Sequence, residues 1–245
     1  MKTNDIKRST RREFLVVTGT TLVGLAGSAI GADAGMKIGI IGSGRVGGTL
    51  GTIWLKAGHE VMFSSLDIEH DKALAARLGG KARAGSSREA AAFGDVLLVA
   101  VPYGALPKLG KDLAESIRGK VVIDTCNPFP GRDGEIATWA RDKGAGLASA
   151  ELLPGARLVR AFNAVGAGRL GDIASSKERI GMPIAGDDAP AIAVASRLVR
   201  EIGFEPVVIG GLAMGRHLIP GTPLAGEHAP EKLRQAAASL AAVSK

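Results

Sequence analysis

Cysteine, aromatic side chains and dense runs of one charge are all scarce in this sequence of 245 residues. Because Cys126 is the one cysteine, no disulfide can form within the chain. The net charge of +7 comes from scattered basic residues, not from a lysine- and arginine-rich run, so we expect no nucleic-acid partner. Aromatic residues make up 4% of the chain and glycine contributes 35 residues, a balance that suits a tightly turned α/β fold.

The N-terminal segment also lacks the run of about 20 strongly apolar residues that a membrane-spanning helix needs. Its mildly apolar, glycine-rich stretch follows the basic pair Arg11-Arg12, and a small-x-small motif ends at Ala34. This arrangement is typical of a twin-arginine export signal. We therefore expect a signal at residues 1–34, the twin-arginine export machinery as a partner, and a periplasmic or extracellular location for the folded body at residues 35–245.

In the body, short apolar runs alternate with helical patterns, which is the βαβ signature of a parallel sheet. Strands are predicted at residues 37–41, 60–63, 96–101, 121–124 and 158–162. The third and fourth of these runs are continuously apolar, as expected of central strands covered on both faces. A last βαβ-like stretch lies between residues 182 and 209, and a terminal helix begins near Glu231. The predicted fold is therefore α/β, a doubly wound, mostly parallel Rossmann-type sheet with a short C-terminal α/β extension and a terminal helix.

Two helix starts are legible from their polar residues. Ser86 and Glu89 have the spacing of a capping box. Asp187 and Asp188 precede Pro190, so we interpret them as helix caps and predict no metal site.

A glycine-rich segment follows the first predicted strand and opens a helix that runs to about Lys56. Its residues are Gly42, Ser43, Gly44, Arg45, Val46 and Gly47. This G-x-G-x-x-G spacing between strand and helix, with a second strand about 20 residues on, is the dinucleotide-binding fingerprint. Gly42 permits the tight turn, Gly44 lets the backbone approach a pyrophosphate, and Gly47 lets the helix pack closely on the strand.

The residues after the second predicted strand indicate which dinucleotide binds. NAD-dependent proteins usually place an Asp or Glu there, which accepts hydrogen bonds from the ribose hydroxyls. This chain has Ser64 and Ser65, whose hydroxyls can donate to a 2′-phosphate, and Arg45 can pair with the same phosphate. The pattern favours NADP(H), while Asp67 keeps NAD(H) as the alternative.

Further motifs stand at the ends of the later strands and in the last βαβ-like stretch. They are Ala100-Val101-Pro102-Tyr103, Val122-Ile123-Asp124 followed by Asn127-Pro128, Ala161-Phe162-Asn163, and the segment from Met182 to Asp188. With the glycine-rich segment and Ser64, their order makes residues 36–216 resemble the coenzyme F420-dependent NADP oxidoreductase family. The nucleotide domain is also similar to that of the STEAP metalloreductases. Family members commonly follow the serine with arginine, whereas this chain has Ser65 and Leu66.

The resemblance implies an enzyme that passes a hydride between NADP(H) and a deazaflavin, coenzyme F420, or a flavin-like acceptor. In a doubly wound sheet the ligand lies across the carboxyl ends of the strands. The residues expected around the nicotinamide are therefore Val101, Pro102, Tyr103, Asn127, Pro128 and Asn163. Pro102 and Tyr103 are expected to wall the ring, and Asn127 or Asn163 to hydrogen-bond its carboxamide or ribose. For both prolines, strand termination is an equal alternative.

No side chain stands out as a catalytic acid or base, and hydride transfer between stacked rings requires none because the cofactors supply the chemistry. Cys126 lies near the predicted site without an activating partner, so we expect a small buried residue there. Two alternative functions are a non-catalytic NAD(P)-binding module and a reductase of another small redox substrate, such as a ferric chelate or an imine. The sequence leaves a homodimer open as the assembly.

Replacing Arg11 and Arg12 together by lysine is expected to abolish export, because the twin-arginine machinery reads the arginine pair. Cell fractionation and immunoblotting measure the location, with Lys7→Arg as a control outside the pair. We expect the double variant to stay in the cytoplasm. Its recovery outside the cytoplasm at the wild-type level would contradict the predicted signal.

Overall fold

The computed structural model describes Met1 and residues 35–173 and 179–243. The chain divides into two compact units, residues 1–34 and residues 35–245. The predicted export signal lies outside the described residues apart from Met1. Across the ranges that are described, no helix is both long enough and apolar enough to cross a membrane.

Eight strands form one sheet. They are β1 (Lys37–Ile41), β2 (Glu60–Ser64), β3 (Ala82–Ala84), β4 (Val96–Val99), β5 (Val121–Asp124), β6 (Arg157–Arg160), β7 (Gly181–Gly186) and β8 (Glu205–Gly210). Their order across the sheet is β3-β2-β1-β4-β5-β6-β7-β8. Only the β6–β7 pair is antiparallel among these strands. The direction of winding reverses between β1 and β4, and such a switch point is where doubly wound sheets bind their ligands.

The connections are mostly helical. The helices are α1 (Arg45–Lys56), α2 (Ile68–Leu78), α3 (Ser87–Phe93), α4 (Leu106–Asp112), α5 (Ala114–Ile117), α6 (Pro130–Asp133), α7 (Glu135–Lys143), α8 (Ala145–Leu152), α9 (Ala167–Ile173), α10 (Ala189–Glu201) and α11 (Pro230–Val243). Short 3-10 helices span Tyr103–Ala105 and Leu212–His217.

Helices cover both faces of the sheet, as the continuously apolar strands predict. Val96 and Leu98 of β4 pack in one core with residues of α1, α9 and α10. Leu97 and Val99 point the other way, into a second core with residues of α4, α7 and α8. Because successive side chains of a strand alternate between faces, a central strand needs apolar residues at every position. The predicted fold class is confirmed.

The predicted strands are all present, two of them end earlier than predicted, and two features are new. The strands expected over residues 96–101 and 158–162 end at Val99 and Arg160, where the chain turns into loops over the sheet edge. The sequence does not reveal β3, which has only three residues. It also does not reveal the reversed direction of β7, since strand direction depends on the path of the connection.

The predicted helix caps at Ser86 and Asp188 are confirmed, whereas the prediction that Asp187 caps α10 is wrong. Ser86 Oγ accepts from Glu89 N at 3.2 Å, and the Glu89 carboxylate accepts from Ser86 N at 2.8 Å, which completes the capping box. Asp188 caps α10 by accepting from Ala191 N at 2.8 Å. Asp187 accepts from Leu212 N at 3.0 Å and so fastens the segment after β8.

A fully buried ion pair joins β5 to β6. Asp124 and Arg160 are neighbours in the parallel register, and neither side chain is exposed. The second carboxylate oxygen of Asp124 accepts from Cys126 N at 2.7 Å, and Arg160 Nη2 donates to the Cys126 carbonyl oxygen at 3.0 Å. Arg160 Nη1 also donates to Ser149 Oγ at 3.2 Å. The pair thus holds the backbone of the loop after β5 from both sides.

Asp124→Asn is expected to lower the free energy of unfolding by roughly 3–5 kcal/mol, because Arg160 would be left as an unpaired buried charge. Chemical denaturation measures the loss. Replacing both residues, as in Asp124→Leu with Arg160→Met, is expected to restore most of that stability. A single variant as stable as the wild type would show that the pair is not structural.

Candidate functional site

The loop between β1 and α1 contains three glycines, and the surroundings of each differ. Gly42 has a φ of +99°, and a Cβ there would lie 2.4 Å from the carbonyl oxygen of Ala100. A Cβ on Gly47 would lie 2.0 Å from the carbonyl oxygen of Gly42, so only glycine lets α1 approach the strand this closely. A Cβ on Gly44 would meet no described atom within 4 Å. The protein itself requires Gly42 and Gly47, whereas Gly44 faces open space in which a ligand can approach the backbone.

The start of α1 supplies backbone donors next to this space. Gly44 is the N-cap residue, and no side chain caps α1 in the described structure. Gly42 N and Ser43 N donate to the carbonyl oxygen of Ser64, at 2.8 and 3.0 Å, and hold the loop against the end of β2. The first-turn N–H groups and the helix dipole together suit an anion such as a pyrophosphate.

A hollow of about 550 Å³ lies over the carboxyl ends of β4, β5 and β6. Among the predicted site residues, those that line it are Arg45, Val46, Val101, Pro102, Asn127 and Asn163. We call it the β4–β6 hollow. A second hollow of about 630 Å³ follows α1 between α2 and α9, and Ser43, Gly44 and Arg45 belong to its lining. Arg45 lines both hollows, so the glycine-rich loop lies between them.

Two amide oxygens in the β4–β6 hollow have no hydrogen-bond partner among the residues that the structure describes. Asn127 Nδ2 donates to the Asn163 carbonyl oxygen at 2.8 Å, and Asn163 Nδ2 donates to the Cys126 carbonyl oxygen at 3.5 Å. These bonds leave Asn127 Oδ1 and Asn163 Oδ1 buried and unsatisfied among the described atoms. Buried acceptors are rarely left unpaired in folded proteins, so this pair fits a ligand that brings hydrogen-bond donors.

Phe162 is under backbone strain at the edge of the same hollow. Its φ is +65°, and among described residues other than glycine it is the one with a positive φ. Its ring packs edge-on against Trp54, with centroids 5.9 Å apart, and Trp54 Nε1 donates to the Leu198 carbonyl oxygen at 3.0 Å. Such strain costs about 1–3 kcal/mol and persists where packing enforces it. The packing of Phe162 sets the turn that carries Asn163, a feature the sequence alone does not signal.

The loop at residues 218–229, which we call the C-terminal loop, completes the β4–β6 hollow. Pro220 belongs to the lining, as do residues 164–167 before and at the start of α9. Gly226 N donates to the Ala164 carbonyl oxygen at 2.8 Å, and Arg169 binds Glu227 through two hydrogen bonds of 2.7 and 3.1 Å. These contacts hold the C-terminal loop against the segment before α9. The predicted C-terminal extension is therefore part of the site.

Two residues expected at the ring do not line the hollow. Tyr103 is fully buried, with its hydroxyl 3.1 Å from Ser149 Oγ and 3.4 Å from the Ala145 carbonyl oxygen. Burial raises the pKa of the Tyr103 phenol, which keeps it neutral. The prediction that Tyr103 walls the ring is therefore wrong, because its side chain anchors α8 instead. Pro128 lines neither hollow, and its carbonyl oxygen accepts from Arg141 Nη1 at 3.1 Å.

The serines after β2 also differ from expectation. Ser64 is fully buried, and its hydroxyl donates to the Ile40 carbonyl oxygen at 2.7 Å, so the prediction that this hydroxyl binds a 2′-phosphate is wrong. Ser65 is partly exposed, and its hydroxyl donates to Asp71 Oδ2 at 2.9 Å. No sequence motif pointed to Asp71. The available signal was its position in α2 on the same face as the buried Leu74 and Ala75.

Cys126 is buried beneath the β4–β6 hollow, as expected. Its side chain is 2% exposed, and Sγ donates to the Val99 carbonyl oxygen at 3.5 Å. Burial and the nearby Asp124 carboxylate raise the pKa of the thiol, so a nucleophilic thiolate is disfavoured. In the part of the chain that is described, no group of three or more His, Cys, Asp or Glu side chains could hold a metal ion.

The sequence and the structure are similar to those of known proteins. The family model described as "NADP oxidoreductase coenzyme F420-dependent" matches residues 37–128. The F420-dependent NADP reductase of Methanothermobacter marburgensis is 32% identical over 203 residues, which are 77% of this chain and 90% of that protein. The metalloreductase STEAP3 of Rattus norvegicus is 30% identical over 187 residues, which are 74% of this chain but only 35% of that protein. The solved structure of the hypothetical protein SMa0349 from Sinorhizobium meliloti has a TM-score of 0.65 and 25% identity, covering 80% of this chain and 96% of that one.

Gly44→Asp is expected to abolish dinucleotide binding without unfolding the protein, because the new side chain enters open space and places a carboxylate against the pyrophosphate position. Isothermal titration calorimetry measures binding, and a thermal melt measures folding. Gly47→Ala is the matched control: its Cβ would clash with the Gly42 carbonyl oxygen, so we expect lower stability, by roughly 1–3 kcal/mol. Wild-type nucleotide affinity in Gly44→Asp would overturn the assignment of this loop.

Proposed function

Because the chain belongs to the coenzyme F420-dependent NADP oxidoreductase family, as its motifs predict, we propose that it transfers a hydride between a nicotinamide dinucleotide, NADP(H) or NAD(H), and a deazaflavin or flavin-like acceptor. The observation that carries this proposal is the β4–β6 hollow, in which two unpaired amide oxygens lie beside an open glycine-rich loop. The chain is an NAD(P)-dependent oxidoreductase by family, and the identity of the acceptor is the proposed part.

The described residues fit a bound dinucleotide. The first turn of α1 would hold the pyrophosphate at Gly44, and the nicotinamide would occupy the β4–β6 hollow. There its carboxamide N–H groups would meet Asn127 Oδ1 and Asn163 Oδ1, which otherwise stay unpaired. Val101 and Pro102 supply apolar wall on the β4 side. A Rossmann-type fold places the two halves of a dinucleotide in this way on either side of its switch point.

The side chains around the hollow suit hydride transfer because they are chemically inert. The bound nicotinamide supplies the hydride, so the protein needs to position the rings and exclude water. Cys126 stays a neutral thiol since its pKa is raised, and the Asp124 carboxylate is neutralised by Arg160. Neither the Cys126 thiol nor the Asp124 carboxylate therefore presents an unpaired charge to the reacting ring.

The mouth of the hollow offers an aromatic surface for the acceptor. Phe129 is 39% exposed, and the guanidinium of Arg132 lies 5.0 Å from its ring centroid. Both residues line the hollow. Arg132 is also bound to Asp133 through two hydrogen bonds of 2.8 and 2.9 Å, so it contributes a flat stacking surface more than a net positive charge. This surface supports a planar aromatic acceptor.

A ferric chelate is the second candidate acceptor, and the similarity to the metalloreductase STEAP3 supports it.

The twin-arginine motif supports the proposal that the protein works outside the cytoplasm. Export in the folded state would let it take up its dinucleotide beforehand.

The purified protein is expected to oxidise NADPH or NADH when given oxidised coenzyme F420 or FMN, as followed at the nicotinamide absorbance band, with a ferric chelate as the third acceptor. Asn127→Leu should lower kcat/KM about tenfold, since one hydrogen bond to the carboxamide is lost. Phe129→Leu is the matched variant at the mouth, and it should raise the KM for the acceptor while leaving the Kd for nucleotide unchanged. Tight nucleotide binding without turnover of any acceptor would instead favour a non-catalytic binding module.

A further inference from the structure

A buried carboxylate organises the loop that follows β2. Asp71, in the first turn of α2, is fully buried. Its Oδ1 accepts from the hydroxyl of Ser43 in the glycine-rich loop, and its Oδ2 accepts from the hydroxyl of Ser65 at 2.9 Å. Asp71 therefore joins the glycine-rich loop to the segment that follows β2.

This arrangement determines where the serine hydrogens point. A hydroxyl has one hydrogen and two lone pairs. Ser43 directs its hydrogen to Asp71, and Ser65 directs its hydrogen to Asp71 or to the Asp67 carbonyl oxygen at 3.0 Å. Ser65 Oγ also accepts from Asp67 N at 3.2 Å, which leaves one further lone pair. Both serines consequently offer acceptors, and not donors, to a ligand.

The adenosine ribose binds in this region of a Rossmann-type fold, where the group after the second strand reads the 2′-position. Ser65 is the first residue after β2, and Ser43 lies in the loop that carries the pyrophosphate. A free 2′-hydroxyl can donate to these lone pairs. A 2′-phosphate carries only acceptor oxygens at neutral pH apart from partial protonation, and it would also meet the negative charge of Asp71.

The neighbouring charges reinforce this contrast. The start of α2 also carries Asp67, which caps the helix, and Glu69, which pairs with Lys72 at 2.8 Å. The ring of His70 lies beside the same carboxylate, with its Nδ1 3.4 Å from Asp71 Oδ1, and the cations Arg45 and Arg77 line the adjoining hollow beside α1. A 2′-phosphate would therefore lie between cations in that hollow and the buried carboxylate, so Asp71 is the group whose removal should change the balance most.

We propose that Asp71 determines dinucleotide specificity in this protein: by holding the hydrogens of Ser43 and Ser65, it makes the site read a free 2′-hydroxyl and disfavours a 2′-phosphate. The inference rests on the proposed hydride transfer, because it requires a dinucleotide to bind at the glycine-rich loop, and it selects NAD(H) over NADP(H) as that dinucleotide. Asp71 acts through the serines, so it is a positioning residue and does not touch the ligand itself.

Calorimetric titration of NADH and NADPH into the wild type and Asp71→Asn tests this directly. The amide keeps the size of the side chain and can donate to a serine oxygen, which frees a hydroxyl hydrogen for the phosphate. We expect the ratio of Kd for NADH to Kd for NADPH to rise about tenfold or more. Asp67→Asn is the matched control, because it removes the same charge from the same turn and Asn caps a helix equally well. In that control the ratio should change less than about threefold.

Ser65→Ala provides an independent measurement should Asp71→Asn fail to fold. It removes an acceptor for the 2′-hydroxyl, so NADH should bind more weakly while NADPH binds as before. An unchanged ratio in Asp71→Asn, an equal shift in Asp67→Asn, or unchanged NADH affinity in Ser65→Ala would each overturn the role of Asp71 while leaving the proposed function intact. Failure of the wild type to bind either nucleotide would overturn both.

Discussion

The buried pair of Asp124 and Arg160 is the interaction on which the geometry of the site depends. It links adjacent strands at their carboxyl ends and binds the backbone of Cys126 through both an N–H and a carbonyl group. Asn163 then reaches the same Cys126 carbonyl oxygen, and Asn127 reaches the carbonyl oxygen of Asn163. The two unpaired amide oxygens are the end of this chain of contacts. A buried ion pair adds little net stability when its desolvation is counted, so its value here lies in fixing these positions.

A similar series of hydrogen bonds holds the glycine-rich loop. Its backbone N–H groups at Gly42 and Ser43 are held by the Ser64 carbonyl oxygen, and the Ser64 hydroxyl is held by the Ile40 carbonyl oxygen. The loop is thereby ordered before any ligand arrives, which reduces the entropic cost of binding. Gly44 and the first turn of α1 face open space.

The site as a whole combines rigid backbone with unreactive side chains. Phe162 stores strain, Cys126 is held as a thiol, and Tyr103 is committed to Ser149. Such surroundings suit a protein that binds and aligns two redox molecules, because the reactive groups belong to the molecules and not to the chain. Selectivity then depends on hydrogen-bond direction, as at Asp71, where a buried acceptor decides whether two hydroxyls donate or accept.

Local sequence patterns establish the fold class, the order of βαβ units, the helix caps at Ser86 and Asp188, and the position of the glycine-rich loop. These features depend on local periodicity and on glycine spacing, both of which are written in neighbouring residues. The strand pattern also places Asn127, Asn163 and Pro102 at the edge of the sheet where the β4–β6 hollow lies, since strand ends meet at one edge of a parallel sheet.

The direction in which each side chain points depends on tertiary packing. The serine motif suggested a phosphate site, yet Ser64 faces the core and Ser65 faces Asp71, which lies six residues later in the sequence, in α2. Tyr103 follows a strand end as Pro102 does, but it turns into the second core. The contribution of Pro220 arises from a loop more than 100 residues from β4 in sequence. Side-chain direction and long-range closure depend on packing partners from distant segments, and no local pattern encodes those partners.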